Sequence, residues 1–560
     1  MNFTKKLNFI KKRWALVGVL IILWIITLFF LIYSIFLNKG HLVYTLDDAY
    51  IHMAIAKNFS QHGVWGITGY NFSSSSYSLL FTSLLSFFYL IFGVNEITPL
   101  IINIVVANLL IYYIYRIFKK DYNVPSYLIF ISMSSMIIFA PIPRLIMTGM
   151  EHLLHCLITV VFINVSKNQL TKIDNVEGKN FFSNIKYLLI LAPLVAMIRY
   201  EGMFLIIAVS FLFLFKRKFK YSIIIAILGF LPVIIFGLIS ILNGGFLLPN
   251  SLIIKGTIPD LSSLSTILHS FIYQPFQRLL GYPHLFLLLV GLAIIVYITI
   301  VKKDEIWSDT SIMSLIFIAI TVLQIEFASS GIRSRYDAYL IVLGIFIFTI
   351  FIKDYLRPGY TLANLKKDII NIRETLKIHT IVRKGTIVLV LALILSPFIY
   401  RSYYLATTAH ASNNIYEQQY QMGLFLKEYY EGESVVLNDI GATNYFANIK
   451  CLDLLGLGSN EVAKKTVNNE FNQDTIDELA REKGCKIAII NWNFEYLGGM
   501  PSNWTLIGTW TTTKNNWVTA GKIVDFFAIE ESEINNLRSH LQDFSSRLPD
   551  AIIESGNYTL

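Results

Sequence analysis

Charge is scarce in this 560-residue chain, where 15% of residues are charged and 55% are hydrophobic. Ordinary soluble chains are about 25% charged, so a soluble multidomain protein is excluded. Three cysteines make no disulfide framework. Cys156 sits in an apolar stretch, and only Cys451 and Cys485, both in a polar tail, stand where a pair could form in an oxidising compartment. Also missing are GxxxxGK[S/T], HExxH, CxxC and GxSxG, which leaves ATP-driven transport, zinc proteolysis and a serine elbow without support. No alternating segments of about ten residues mark an outer-membrane barrel.

What the chain has in abundance is apolar length. Runs of about 20 residues, enough for a helix to cross a ~30 Å hydrocarbon core, recur from Trp14 to about Tyr400. The expected fold is a polytopic α-helical membrane protein of about eleven spans, carrying a small C-terminal α/β domain. The net charge of +9 divides unevenly: residues 401–560 hold 12 Lys+Arg against 20 Asp+Glu, and residues 1–400 hold 34 against 17. The basic excess therefore belongs to the membrane part, where it marks cytoplasmic loops and anionic lipid, and no nucleic-acid partner is implied.

Five cations precede the first apolar run, 15–37, which is too long for a signal peptide and lacks a cleavage site. They place the N-terminus in the cytoplasm and the segment after Lys39 outside. The 16-residue stretch Tyr77–Phe92 decides the rest. If it does not cross, ten further spans follow, among them one at 145–165, and cytoplasmic loops hold 26 cations against eight outside. If it crosses, the split is 11 against 23, so the positive-inside rule selects eleven spans. The expected domains are 1–400, in the membrane, and 401–560, outside it, the latter with strand signals at 434–441, 449–456 and 485–492.

In that orientation the uncommon polar residues gather at the outer boundary: Asp47, Asp48, His52, Arg144, Glu151, Arg199, Glu201, Asn250, Lys255, Arg333, Arg335 and Asp337. Ionisable groups there are costly unless paired or solvated, so a one-sided collection suggests a shared cavity. Thr45-Leu-Asp-Asp48 fits a capping box, and Ile51, Ile55 and Phe59 predict a helix along the membrane surface with Asp48 and His52 on one face. Read singly, each motif has an ordinary explanation. The acids cap a helix, Arg199 snorkels beside Glu201, Asn250 and Lys255 punctuate a loop, and Arg333 and Arg335 anchor a span. Read together, they suit a carboxylate base, with its neighbouring acid orienting it, and cations for an anionic group. Outside a bacterial inner membrane no nucleotide-activated donor is at hand, so a lipid-phosphate-linked sugar fits such a site.

The runs LDDAYIHMAIAKNFSQHG, SSSYSLLFTSLLSFFYLIFG, GMEHLL, RYEG, LLPNSLIIKG and DIGATNYFANIKCLDLLGLGS, in that order, resemble the membrane arabinofuranosyltransferases and their bacterial relatives in the GT-C superfamily. The resemblance covers most of the chain. It implies a multi-span glycosyltransferase with interfacial helices in its first outer loop, inverting transfer from a polyprenyl-phosphate sugar to a glycan or glycolipid, and an aspartate base. Carried over, the catalytic pair falls on Asp47 and Asp48, the R-x-E-G motif on Arg199 and Glu201, and the LPN-x-x-x-K motif on Asn250 and Lys255. One departure is VWGITGYNFSSSS after Gly63, where relatives carry an acidic EGYTS-like loop, so arabinose is not assumed.

The expected roles are then a base at Asp47 or Asp48, with Asp47 narrowly preferred because Asp48 fits the capping box. Arg199, Lys255, Arg333 and Arg335 are assigned to the donor phosphate, and His52, Glu201 and Asn250 to substrate. No cofactor is expected; a divalent cation such as Mg²⁺ or Mn²⁺ stays open. Trp492, Trp504, Trp510 and Trp517 fit either sugar stacking or core packing. The rival functions are a lipid-linked glycan polymerase or ligase and a transporter, the last of which should show inverted repeats and charge near the midplane.

Overall fold

The computed structural model describes residues 13–172, 181–256, 262–302, 305–328, 335–355, 380–491 and 499–559. Each of the eleven expected spans falls on a helix. Six of the described helices are long and apolar enough to cross a membrane, beginning with Trp14–Leu37 and including His152–Lys172, Phe219–Leu242 and Asp309–Phe327. The chain is thus a multi-pass membrane protein by length and composition. In Trp14–Leu37 the inward stripe is Ala15, Val19, Leu23 and Thr27, at every fourth residue, while Ile25, Phe29, Ile32 and Phe36 are exposed. A helix apolar all round with its bulky side facing outward is suited to lipid, not water.

Leu79–Phe92, with Ser78 capping it through the Phe81 N–H, has 14 residues. At 1.5 Å per residue it is about 21 Å long, short of a hydrocarbon core. The span expected at 145–165 starts later. Ile142–Met147 is a separate short helix, and the chain turns at Gly149, whose φ of +66° lays it against the Tyr44 ring, before His152–Lys172 begins.

The polar tail forms one six-stranded sheet in the order β2-β1-β3-β5-β4-β6. Strands β1 (Ser434–Leu437), β2 (Lys450–Asp453) and β3 (Ile487–Ile490) are parallel and are the three the sequence announces. Strands β4 (Thr505–Thr512), β5 (Ile523–Ala528) and β6 (Ile552–Gly556) extend it antiparallel. Trp510 is buried between Phe526 and Phe544, and Trp504 is buried as well, so both pack the core. Trp517 packs on Tyr403, and Trp492 lies outside the described residues. The three cysteines are free, so Cys451 and Cys485 do not pair.

The tail is fastened to the segment that follows Trp14–Leu37. Ser412 accepts from Asn38 Nδ2 at 2.8 Å and donates to the Val43 carbonyl at 2.7 Å. The helix Asp48–His62 is held between Leu79–Phe92 and the short helix Ala442–Phe446. It is therefore more buried than a helix lying on a membrane surface, because the tail covers the side that Leu79–Phe92 leaves open.

Candidate active site

The capping box at Thr45 does not form. The helix starts at Asp48 with Asp47 at its N-cap position, and neither the Asp47 side chain nor any other caps it. Both Asp47 oxygens are instead engaged by the tail. Oδ2 accepts from the Gly441 N–H and Oδ1 from the Ala442 N–H, each at 2.8 Å. Burial, then the neighbouring Asp439, pushes the Asp47 carboxyl up to about 8, against the pull of those two amides.

Asp48 points elsewhere. Its Oδ2 accepts from Arg335 Nη2 at 2.6 Å, and the same nitrogen reaches the Tyr336 hydroxyl at 2.9 Å. The Tyr336 ring lies 4.7 Å from the Arg335 guanidinium and 4.9 Å from that of Arg199, so one aromatic separates two buried cations. Such a ring offers its π face to both, which softens their repulsion.

Arg199 sits in the turn between Phe181–Ile198 and Gly202–Phe215. It donates from Nε and Nη2 to Glu201, at 3.1 and 2.7 Å, and from Nη1 to Glu151. Although burial pushes the Glu201 carboxyl up, Arg199 holds it below its ordinary value. Glu151 Oε2 lies 3.4 Å from His52 Nε2, and His52 Nδ1 meets Thr82 Oγ1 at 2.8 Å and Ser76 Oγ at 3.3 Å. Asp48, Arg335, Tyr336, Arg199, Glu201, Glu151 and His52 thus form one continuous polar cluster.

At this cluster, Arg335 Nε and both ring nitrogens of His152, whose ring packs on that of Tyr336, are buried with no hydrogen-bond partner among the described residues. Buried polar groups are normally satisfied, so unpaired donors and acceptors converging on one place are the mark of a polar ligand's site. Among the described residues no group of three His, Cys, Asp or Glu side chains is arranged to hold a metal ion.

Not every expected residue joins the cluster. Asn250 donates to Asn460 Oδ1 at 2.9 Å and, at 3.4 Å, to the Leu457 carbonyl, so it fastens its loop to the tail. Lys255 ends the helix Asn250–Lys255, but its side chain and the whole of Arg333 lie outside the described residues. Arg144 donates to Thr407 Oγ1 at 2.7 Å and to the Tyr404 carbonyl. Asp337 is held by His284 at 2.6 Å and by both terminal nitrogens of Arg401. These two anchor the helix leading into the tail. Sequence reasoning gave Tyr336 and His152 no role; each stands beside a residue it singled out, in RYD and GMEH, and that adjacency is the one signal available.

A polar cavity of about 390 Å³ opens where the tail meets the loop after Gly63, lined by Thr68, Asn71, Ser73, Ser459, Asn460 and Lys464 among others but by no residue of the cluster. Ser75 links the two places, donating to Ser73 Oγ and to the Leu457 carbonyl, while the next residue, Ser76, touches His52.

No curated protein matches the chain significantly. Residues 413–527 match a domain family of unknown function, DUF8728. Among solved structures, the chain is similar to ArnT from Cupriavidus metallidurans bound to undecaprenyl phosphate, at 13% identity and a TM-score of 0.47, over 92% of this chain and 98% of that one. It is also similar to the apo oligosaccharyltransferase of Archaeoglobus fulgidus, at 12% identity and a TM-score of 0.47, over 94% and 76% of the two chains. A third similarity is to the oligosaccharyltransferase AglB of that organism in complex with an inhibitory peptide and a dolichol-phosphate, at 11% identity and a TM-score of 0.45, over 94% and 75%.

Proposed function

We propose that this protein is a GT-C-type membrane glycosyltransferase that moves a sugar, with inversion, from a polyprenyl-phosphate donor to a glycan or glycolipid acceptor on the outer side of a bacterial inner membrane. The observation that carries the reading is the pair of buried guanidiniums, Arg199 and Arg335, set around Tyr336 with Asp48 in contact with one of them. A carboxylate and two fixed cations in one place suit a reaction that takes a proton at one end and expels a phosphate at the other.

Asp48 is the base in this reading, because both oxygens of Asp47 are occupied by backbone amides. The acceptor hydroxyl gives its proton to Asp48 as its oxygen attacks the anomeric carbon. The bond from that carbon to the phosphate oxygen breaks, and the electron pair leaves with the lipid phosphate toward Arg335 and Arg199. A single displacement inverts the anomeric centre. Arg199 is positioned by Glu201 and Glu151, so its charge is in place before the phosphate departs, which is how fixed groups lower a barrier. Lys255 and Arg333 are further candidates for the phosphate.

Purified protein incubated with a panel of polyprenyl-phosphate sugars should consume one of them. Asp48→Asn should slow that turnover about 10²–10⁴-fold, the usual contribution of a general base, while the variant elutes as folded protein. Full activity in Asp48→Asn would remove the base assignment, and no consumption of any donor by the wild type would remove the function. Mass spectrometry of the product separates transfer of one sugar from transfer of a preassembled chain, as a ligase would perform.

A further inference from the structure

In a sheet with parallel strands, the crevice at the strands' carboxyl ends, where successive connections leave in opposite directions, is where such domains take their ligands. Here β1 runs out toward β2 on one side, and the chain then crosses to β3 on the other, so that crevice lies between the ends of β1 and β3. The residues at its mouth are Asn438 to Ala442, following β1, and Asn491, following β3. At that mouth the Gly441 and Ala442 amides are met by the side chain of Asp47, which comes from the segment after the first apolar helix.

The loop is built to hold that side chain still. Asn438 Oδ1 accepts from the Asn491 N–H at 2.9 Å, and Asp439 Oδ2 accepts from Gln419 Nε2 and Asn491 Nδ2, both at 2.8 Å. Thr443 Oγ1 donates to the Asp439 carbonyl at 2.8 Å. Gly441 allows the approach: a Cβ there would fall 2.1 Å from the Asp47 carbonyl oxygen and 2.5 Å from its Oδ2. Nearby, Lys57 on the helix that Asp48 begins donates to the Tyr445 carbonyl at 2.6 Å. That helix is therefore docked on the tail at two places, and Asp48, next in sequence to the clamped residue, is the one directed at Arg335.

We propose that the loop Asn438–Ala442 of the C-terminal domain is a positioning element of the active site: it binds Asp47 as the domain's own ligand and thereby fixes the aim of Asp48. Asp439 and Gly441 are positioning residues, and Asp47 is the handle they grip. The C-terminal module is then a working part of the catalytic centre instead of an appended acceptor-binding unit. This inference rests on the glycosyltransferase reading only for its activity readout.

Two measurements on the full-length protein test it. Hydrogen exchange followed by mass spectrometry reads the grip without any substrate. Asp47→Ala should speed exchange of the peptide spanning Gly441 and Ala442 about tenfold or more, since the amides lose their acceptors. Unchanged exchange there would overturn the proposal whatever the enzyme does. In turnover, Gly441→Ala should lower kcat roughly 10- to 100-fold, the scale of a misaimed reacting group, with the donor KM within about twofold because Arg199 and Arg335 are untouched. Asp439→Ala, which removes the oxygen that accepts from Gln419 and Asn491, should show the same split and serves if Gly441→Ala does not fold. Wild-type kcat in folded Asp439→Ala and Gly441→Ala, or a loss confined to donor KM, would overturn it. A wild type that consumes no donor sinks the function proposed above and leaves the exchange result to decide this inference alone.

Discussion

At the residue scale, adjacent acids have been given opposite surroundings, and this was only half legible in the sequence. The pair Asp47-Asp48 stood out, but the local capping pattern pointed to Asp48 as the structural member. The contacts on which the proposed exchange of roles rests come from Gly441, Ala442 and Arg335, hundreds of positions away, which no local pattern records. The difference has a pH signature. Native Asp47 holds its proton up to about 8, while an unfolded chain releases it near the ordinary aspartate value of about 4, so between those limits the native state binds the extra proton. Stability must then fall as pH rises through that window. Thermal melts from pH 5 to 9 should show a steeper decline in wild type than in Asp47→Asn; parallel curves would contradict it. Arg199 makes a second prediction. Arg199→Ala leaves Glu151 and Glu201 buried without their cation, and losing one partner of a buried pair costs about 3–5 kcal/mol, seen as a lower denaturation midpoint.

Elements were easier to foresee than their ends. Long apolar helices announce themselves because lipid asks for continuous hydrophobicity, and the parallel strands β1 to β3 because both their faces are covered. The strands β4 to β6 escaped notice. TLIGTWTT mixes small, polar and aromatic residues, of which Thr505 and Leu506 are exposed, and its pairing with β5 shifts register between Leu506 and Gly508. The late start of His152–Lys172 was hidden for a different reason: Gly149 looks like any helix glycine until Tyr44 is placed against it. Gly149→Ala, at positive φ with a Cβ 2.5 Å from that ring, should destabilise by roughly 1–3 kcal/mol, measured by the same melts. An unshifted transition would show that the turn relaxes freely.

For the whole molecule, hydropathy and the composition break near residue 400 predicted both the helical bundle and the small α/β tail, because hydropathy and composition are global properties that need no contact to be read. The seam between the two was illegible, since it is made of backbone amides and single asparagines. The proposed threading has its own check. In a chain with native cysteines replaced, Ser532→Cys should react with a membrane-impermeant maleimide added to intact cells, and Lys218→Cys, in the short turn between Gly202–Phe215 and Phe219–Leu242, should not. The reverse pattern would turn the site to the wrong side.

The hydrogen bonds joining Asp47 to Gly441 and Ala442 span nearly 400 positions of sequence. At the usual 5–20 residues per second, about 20–80 s of translation separate the two partners. Throughout that interval the acid pair is ungripped. A chain that stops between Tyr336 and Gly441 carries every charge of the cluster and, on the proposal above, still lacks its aim, so the last-made part of the polypeptide would be the switch that turns the first-made part on.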